Sequence, residues 1–251
     1  MRMIALASFA AASFVISAAN MATAGIVGFG DLSQFTINKA DNVNSTVSLV
    51  APGTVQLTSQ AYENRSIFYN FAQPVARFSA SYTYHYIGVP DAGFVISADP
   101  YQTAYTSSPP LWRFFDVAAV GLDAAVGATG TTMFLATGSG NNGATTQIPL
   151  NANGGTVFVT LSYDGTRVTE TLSDLATSKT ATIRFSLNLP QLLNGQPGYI
   201  GFAAMNPAQF NSVQQFSDFQ FVSSVPEPNS AALLALGIAL PAYFLSRRKA
   251  G

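Results

Sequence analysis

The chain has 251 residues, no cysteine, 48% hydrophobic residues and only 9% charged ones, so packing and backbone pairing must hold it together without disulfides. Between residues 25 and 225, seven Lys/Arg stand against eleven Asp/Glu, a scattered net charge of −4. That balance excludes the basic footprint of a nucleic-acid binder. Setting aside two apolar ends leaves roughly 200 residues, the size of one sandwich-type domain.

Met1-Arg2 is followed by an apolar run from Met3 to about Ala19 and then by Ala22-Thr23-Ala24. A positive start, a short apolar stretch and small residues at both positions of an A-x-A site predict a secretory signal helix over residues 1–24, cut after Ala24 by signal peptidase.

The body from there on shows apolar residues at period two. Segments 55–58 and 67–70 read as strands. Next come Phe78, Ala80, Tyr82, Tyr84 and Tyr86 on one face, with Ser79, Ser81, Thr83 and His85 on the other. His85 is the only histidine and lies on that polar face, without a second metal-ligand side chain nearby in sequence, so it is a poor ligand or base. Segment 94–97 is a further strand. Residues 98–112 then offer Tyr101, Tyr105 and the only tryptophan, Trp112: flat rings suited to the apolar face of a sugar, or, for Trp112, to plugging a core.

Further along, Val157, Val159, Leu161 and Tyr163 alternate with Phe158, Thr160 and Ser162; Asp164-Gly165 follows, then a second strand from Thr166 to Leu172. This is a hairpin signature with both turn residues expected at positive φ. A third strand aligns Ala181, Ile183, Phe185 and Leu187; residues 189–193 suggest one helical turn; 199–203 and 216–221 are the last strands. Residues 44–46 and 139–143 read as loops. Many short strands, no sustained helical period and no internal repeat predict an all-β, antiparallel sandwich or barrel.

The C-terminus reads Val225-Pro226-Glu227-Pro228-Asn229-Ser230, an apolar run 231–245, then Arg247-Arg248-Lys249. As a helix the apolar run spans about 22 Å, short of a hydrocarbon core of about 30 Å, and the trailing cations should stay cytoplasmic. These residues closely resemble the PEP-CTERM sorting signal. The resemblance implies an exported protein, first membrane-anchored by helix 231–245, then processed by the exosortase through Pro226, Glu227 and Pro228 for the cell surface or extracellular matrix. It also implies a host that makes extracellular polysaccharide.

Within the body, TVQLTSQAYENRSIFYNFAQPVARFSASYTYHYIG followed by DAGFVIS, then VFVTLSYDGTRVTETLSD and LNLPQLLNGQPGYIGFAAMNPAQFNSVQQFSDFQF, resemble in order and spacing the legume-type (L-type) lectin domain. The resemblance spans residues 25–222 and implies a concanavalin-A-like jelly-roll sandwich of antiparallel sheets. It implies carbohydrate contacts from Asp91 and Gly93, where Asp-Ala-Gly stands for the family's Ala-Asp-Gly, and from Asp123. For Asp91 and Asp123 the alternative is a turn-forming carboxylate bonded to nearby amides. Asn206, with Gln209 and Asn211, occupies the family's variable loop. The family's Ca²⁺ and transition-metal segment has become Gly121-Leu122-Asp123, without the Asn that follows it or the metal-binding His. One Asp cannot supply six to eight oxygens, so no metal or other cofactor is expected.

Catalysis is not expected either. Glycoside hydrolysis uses paired carboxylates, and the body's two glutamates, Glu63 and Glu170, are isolated in sequence. No G-x-S-x-G, cysteine nucleophile or phosphate loop is present. The sequence thus points to a non-enzymatic, lectin-like surface protein that contacts extracellular polysaccharide, or to a structural or adhesive matrix protein that keeps the sandwich without the sugar site.

Overall fold

The computed structural model describes residues 23–41, 43–88, 91–101, 118–126, 130–137, 145–147, 154–206 and 211–224, with backbone alone for Thr23, Ala24 and the strands between 118 and 147. Residues 1–22 of the expected signal helix, Pro226, Glu227, Pro228, helix 231–245, Tyr105 and Trp112 lie outside the described residues, while Thr23 and Ala24, expected at the end of that helix, are extended backbone paired with Ser224 and Ser223. Among the described residues no helix is long and apolar enough to cross a membrane.

The strands, in chain order, are β1 (Thr23–Val27), β2 (Phe35–Lys39), β3 (Ser48–Ala51), β4 (Thr54–Thr58), β5 (Asn64–Tyr69), β6 (Phe78–Ile87), β7 (Ala92–Ser97), β8 (Ala118–Val126), β9 (Gly130–Thr137), β10 (Thr145–Gln147), β11 (Gly154–Tyr163), β12 (Arg167–Asp174), β13 (Thr180–Ser186), β14 (Tyr199–Met205) and β15 (Val213–Ser224). Among the described residues the one α-helical turn, α1 (Leu189–Leu192), falls where the sequence suggests it. One sheet runs β13-β12-β11-β6-β15-β4-β3, with β1 also on β15; the other runs β10-β9-β8-β7-β14-β5-β2. Every pairing is antiparallel. The fold is an all-β, concanavalin-A-like jelly-roll sandwich.

Period two in the sequence becomes one buried and one open face in the eight-stranded sheet. On β6 the side chains of Phe78, Ala80, Tyr82, Tyr84 and Tyr86 are buried, while the positions between them are open or half-open. The outward His85 places Nδ1 2.9 Å from Thr156 Oγ1. On β11 and β12 the same alternation buries Val157, Val159, Leu161 and Tyr163 against Val168 and Leu172. Glu170 and Asp174 are exceptions, carboxylates on the buried face of β12, Glu170 lying between Leu161 and Ile183 in register.

The two sheets meet through rings. Phe202 of β14 packs edge-on against Tyr82 at 5.0 Å and Phe219 at 4.9 Å, and sits 4.4 Å from Phe216, so one ring joins β14 to both central strands opposite. Phe94 and Phe29 complete the ring cluster at 5.7 and 5.6 Å from Phe202. Each such pair adds roughly 0.5–1.5 kcal/mol to the burial of the rings themselves.

The seven-stranded sheet is buried on both faces along its middle: every residue of β7, and all of β14 after Tyr199. Space there is tight. A Cβ on Gly201 would lie 2.1 Å from the Ile67 carbonyl and 2.6 Å from Phe68 Cδ1, so only glycine lets Phe68 close over the strand beside it.

The β11–β12 hairpin differs from its sequence expectation by one residue. Asp164 N–H donates to the Arg167 carbonyl, so Gly165-Thr166 form the turn, and of Asp164 and Gly165 only the glycine has positive φ, 105°. Asp164 closes the turn through its side chain instead, Oδ1 accepting from Thr166 N, Thr166 Oγ1 and Arg167 N at 2.8–2.9 Å. Just beneath, the buried Tyr163 hydroxyl accepts from Leu189 N–H at 3.1 Å and lies 2.7 Å from the Gly165 carbonyl, tying hairpin to α1.

Three measurements check this packing. Phe202→Ala should lower unfolding free energy by about 3–5 kcal/mol in urea titration, since nothing nearby can fill the void. Tyr163→Phe should cost about 1–3 kcal/mol by stranding a buried amide, and an unchanged midpoint would refute the tie. The third is pH. Backbone amides of Thr166 and Arg167 hold the Asp164 carboxyl below its ordinary value. At Asp174 burial pushes upward, but the amides of Ala176 and Thr177 outweigh it and the net direction is also down. Both groups bind protons more weakly folded than unfolded. Their stabilisation is therefore complete above the ordinary carboxylate range, about pH 4, and is lost as pH falls through the depressed folded values. Melting temperature should drop on acidification through that window, and Asp164→Asn should flatten the drop.

Candidate functional site

At one pole of the sandwich β6 ends at Ile87, β14 at Met205 and β4 at Thr58, while β5, β7 and β15 begin. Six strand ends leave many backbone groups without ladder partners, and buried side chains take them up. Gln214, wholly buried, uses its amide fully. Its Oε1 accepts from Tyr84 Oη at 2.8 Å and Asp91 N–H at 3.0 Å; its Nε2 donates to the Met205 carbonyl at 2.9 Å and Asn206 Oδ1 at 2.8 Å. Asn206 donates both amide hydrogens onward, to the carbonyls of Gln60 at 2.9 Å and Ser212 at 2.5 Å. Thr58 Oγ1 adds a bond to that same Ser212 carbonyl at 3.1 Å.

Beside this amide relay lies a buried ionic cluster. Arg65, 1% exposed, pairs with Asp41 and lies 3.8 Å from Glu63, which is as deeply buried. The guanidinium also donates to the carbonyls of Asn64 and Ser45 at 3.1 Å each. Burial pulls the Arg65 pKa down, though an arginine stays cationic. Glu63 accepts from Ser45 Oγ and from the N–H groups of Ser59 and Gln60, folding the β4–β5 turn around its carboxylate. Asp41 accepts from Asn64 N–H at 2.6 Å and Val43 N–H at 2.9 Å. Arg65 thus draws in Asp41, residues 43–45 and residues 59–63, and Lys39 adds a bond to the Val43 carbonyl.

Asp91 and Gly93 stand at the start of β7, both buried, and Asp123 lies directly opposite Gly93 on β8. That diagonal relation sets Asp91 and Asp123 roughly 7–8 Å apart across the ladder, so the fold brings them together. The Asp91 backbone is fully engaged, its carbonyl accepting from Met205 N–H at 3.0 Å. Asn206 is 1% exposed and occupied within the protein, so it props the loops rather than reaching outward. Tyr101 is open, 73% exposed, beyond the Asp99 turn, where its N–H meets Asp99 Oδ1 at 2.9 Å. Asn211 is exposed and holds Ala61 N–H at 2.8 Å.

Among the described residues no three His, Asp or Glu side chains converge as a metal site. Asp41 and Glu63 come nearest, and Arg65 already compensates their charge. The residues here fit an internal guanidinium, not a hard cation. The sequence reading passed over this cluster because Asp41, Glu63 and Arg65 carry no motif spacing. It also passed over Tyr62, an aromatic at the tip of the same turn.

Arg65→Met should lower stability by about 3–5 kcal/mol, because two buried carboxylates would lose their counter-charge. A loss under about 1 kcal/mol in denaturant titration would show that the cluster is not closed.

No family model and no curated protein matches the sequence. Among solved structures the chain is similar to the basic winged bean lectin in complex with Tn-antigen, at 14% identity and TM-score 0.63, covering 81% of this chain and 99% of that one. It is also similar to lectin II from Ulex europaeus, at 13% identity and TM-score 0.58, covering 81% and 98%. Arcelin-5, a lectin-like defense protein from Phaseolus vulgaris, matches at 11% and 0.55, covering 80% and 98%. At such identity the likeness establishes the fold, and it extends over nearly the whole of each neighbour.

Proposed function

We propose that this chain is an exported, non-catalytic surface protein whose sandwich contacts extracellular polysaccharide. The supporting observation is a lectin sandwich of full length whose loop pole, carrying Asp91, Gly93 and the diagonal Asp123, is held rigid by Gln214, Asn206 and Arg65. Rigid loops present polar groups without an ordering cost on binding, which is how a shallow sugar site gains affinity. Structural neighbours were solved with Tn-antigen and with galactose, which favours a sugar as ligand here. Export rests on the sequence: cleavage after Ala24 and a tail read by the exosortase through Pro226, Glu227 and Pro228, with helix 231–245 as the temporary membrane anchor.

A second reading, a structural or adhesive matrix protein, draws on the burial of Asp91 and the internal occupation of Asn206. One experiment separates the two. The purified protein is run against a panel of immobilised polysaccharides beside a Trp112→Ala, Tyr105→Ala double variant. The lectin-like reading expects retention of the wild type and at least tenfold weaker retention of the variant. No retention on any polysaccharide leaves the matrix reading. Mass spectrometry of the exported protein should find Gly25 as its first residue.

A further inference from the structure

Four described non-glycine residues have positive φ: Tyr62, Ser178, Asn194 and Asp218. Asn194 and Asp218 are the residue types that tolerate this conformation, and Ser178 is small and exposed. Tyr62, at φ 65°, is the bulky outlier. It is also 64% exposed, so no burial of its ring repays the strained backbone. Glycine would sit there without strain.

The strain is locked from several sides. Glu63 holds the N–H groups of Ser59 and Gln60, Asn206 holds the Gln60 carbonyl, and Asn211 holds Ala61 N–H. Ser45 of the neighbouring loop binds Glu63 too. The turn is therefore built to a fixed shape, and that shape projects an aromatic ring into solvent. Around it, on the loops so joined, the exposed side chains include the uncharged amides Asn44, Gln60 and Asn211, while Asp41, Glu63 and Arg65 keep their charges inside and the exposed Lys39 is engaged by the Val43 carbonyl, 4.0 Å from Asp41.

We infer that Tyr62 is a stacking platform for a pyranose ring of a neutral polysaccharide, with the amides of Asn44, Gln60 and Asn211 available to its hydroxyls. This rests on the polysaccharide reading above and assigns it a residue outside the Asp91–Gly93 segment. A ring face matches the C–H face of a sugar, amides both donate and accept, and a surround of amides whose neighbouring cation, Lys39, is already engaged within the protein suits a neutral ligand over an anionic one.

Affinity gel electrophoresis of the full chain tests this, with galactomannan and dextran as neutral probes and polygalacturonate as the anionic one. The wild type should be retarded by a neutral probe and not by polygalacturonate. Tyr62→Gly removes ring and strain together: it should melt at the same or a higher temperature yet lose retardation tenfold or more, while Tyr62→Trp retains it. Undiminished retardation of Tyr62→Gly overturns the assignment and leaves the polysaccharide reading standing. A Tyr62→Gly protein that loses both stability and retardation makes the residue structural and overturns it equally. Equal or exclusive retardation by polygalacturonate overturns the neutral ligand and leaves the polysaccharide reading standing, and a wild type retarded by none of the three probes overturns both readings together.

Discussion

Removing a guanidinium from water is costly unless opposite charges and carbonyls meet it, and Arg65 is almost entirely removed, its two terminal nitrogens paired and its Nε buried without a partner among the described residues. Meeting that demand organises a whole end of the molecule. Asp41 and Glu63 must come close, and each brings its own loop: residues 41–45 through the Ser45 carbonyl and hydroxyl, residues 59–63 through the amides that Glu63 caps. The amide relay of Gln214 and Asn206 then fastens those loops to β7, β14 and β15. A cation of the protein itself thus gathers the loops of this pole.

Below the pole, stability comes from a different source. Rings from β6, β14 and β15 interlock around Phe202, and the seven-stranded sheet is covered on both sides along β7 and β14. Strands buried on both faces favour apolar side chains, and β7 and β14 carry no charged residue, which contributes to the low charge fraction of the chain beyond its two apolar ends. The eight-stranded sheet, open on one face, carries Ser and Thr outward instead, with hydroxyls of Thr171 and Thr182 3.0 Å apart across the strands.

What the sequence disclosed follows this division. Strands with one wet face, β6, β11 and β13, show clean alternation, and their buried residues were legible one by one; on β12, Glu170 and Asp174 take buried positions and break the pattern. Strands β7 and β14 read as continuous apolar runs, so their existence was legible but not their bounds; β14 runs on to Met205. Short β2 and β3 and the strands β8 to β10 gave little periodic signal. Asp164-Gly165 marked the hairpin rightly, yet a carboxylate able to cap amides moved the turn one residue on. At the site, Asp91 and Gly93 were reached through family likeness, and their closeness to Asp123 is a matter of register no local pattern reveals. Asn206 looked like a ligand group because an amide in a variable loop carries no sign of its burial. The Arg65 cluster was invisible for the same reason: three charges at irregular spacing meet only once the chain has folded.

The first described strand and the last lie side by side, Thr23 opposite Ser224, at the Phe78 end of β6, while Asp91 and Gln214 gather at the Ile87 end. Ten residues of extended chain separate those ends, about 30 Å. The neighbouring ends of the described sandwich make it suited to circular permutation: a short linker from Ser224 to Gly25 would close the chain into a ring, which could be reopened at an exposed turn such as 175–179 with the sheets intact.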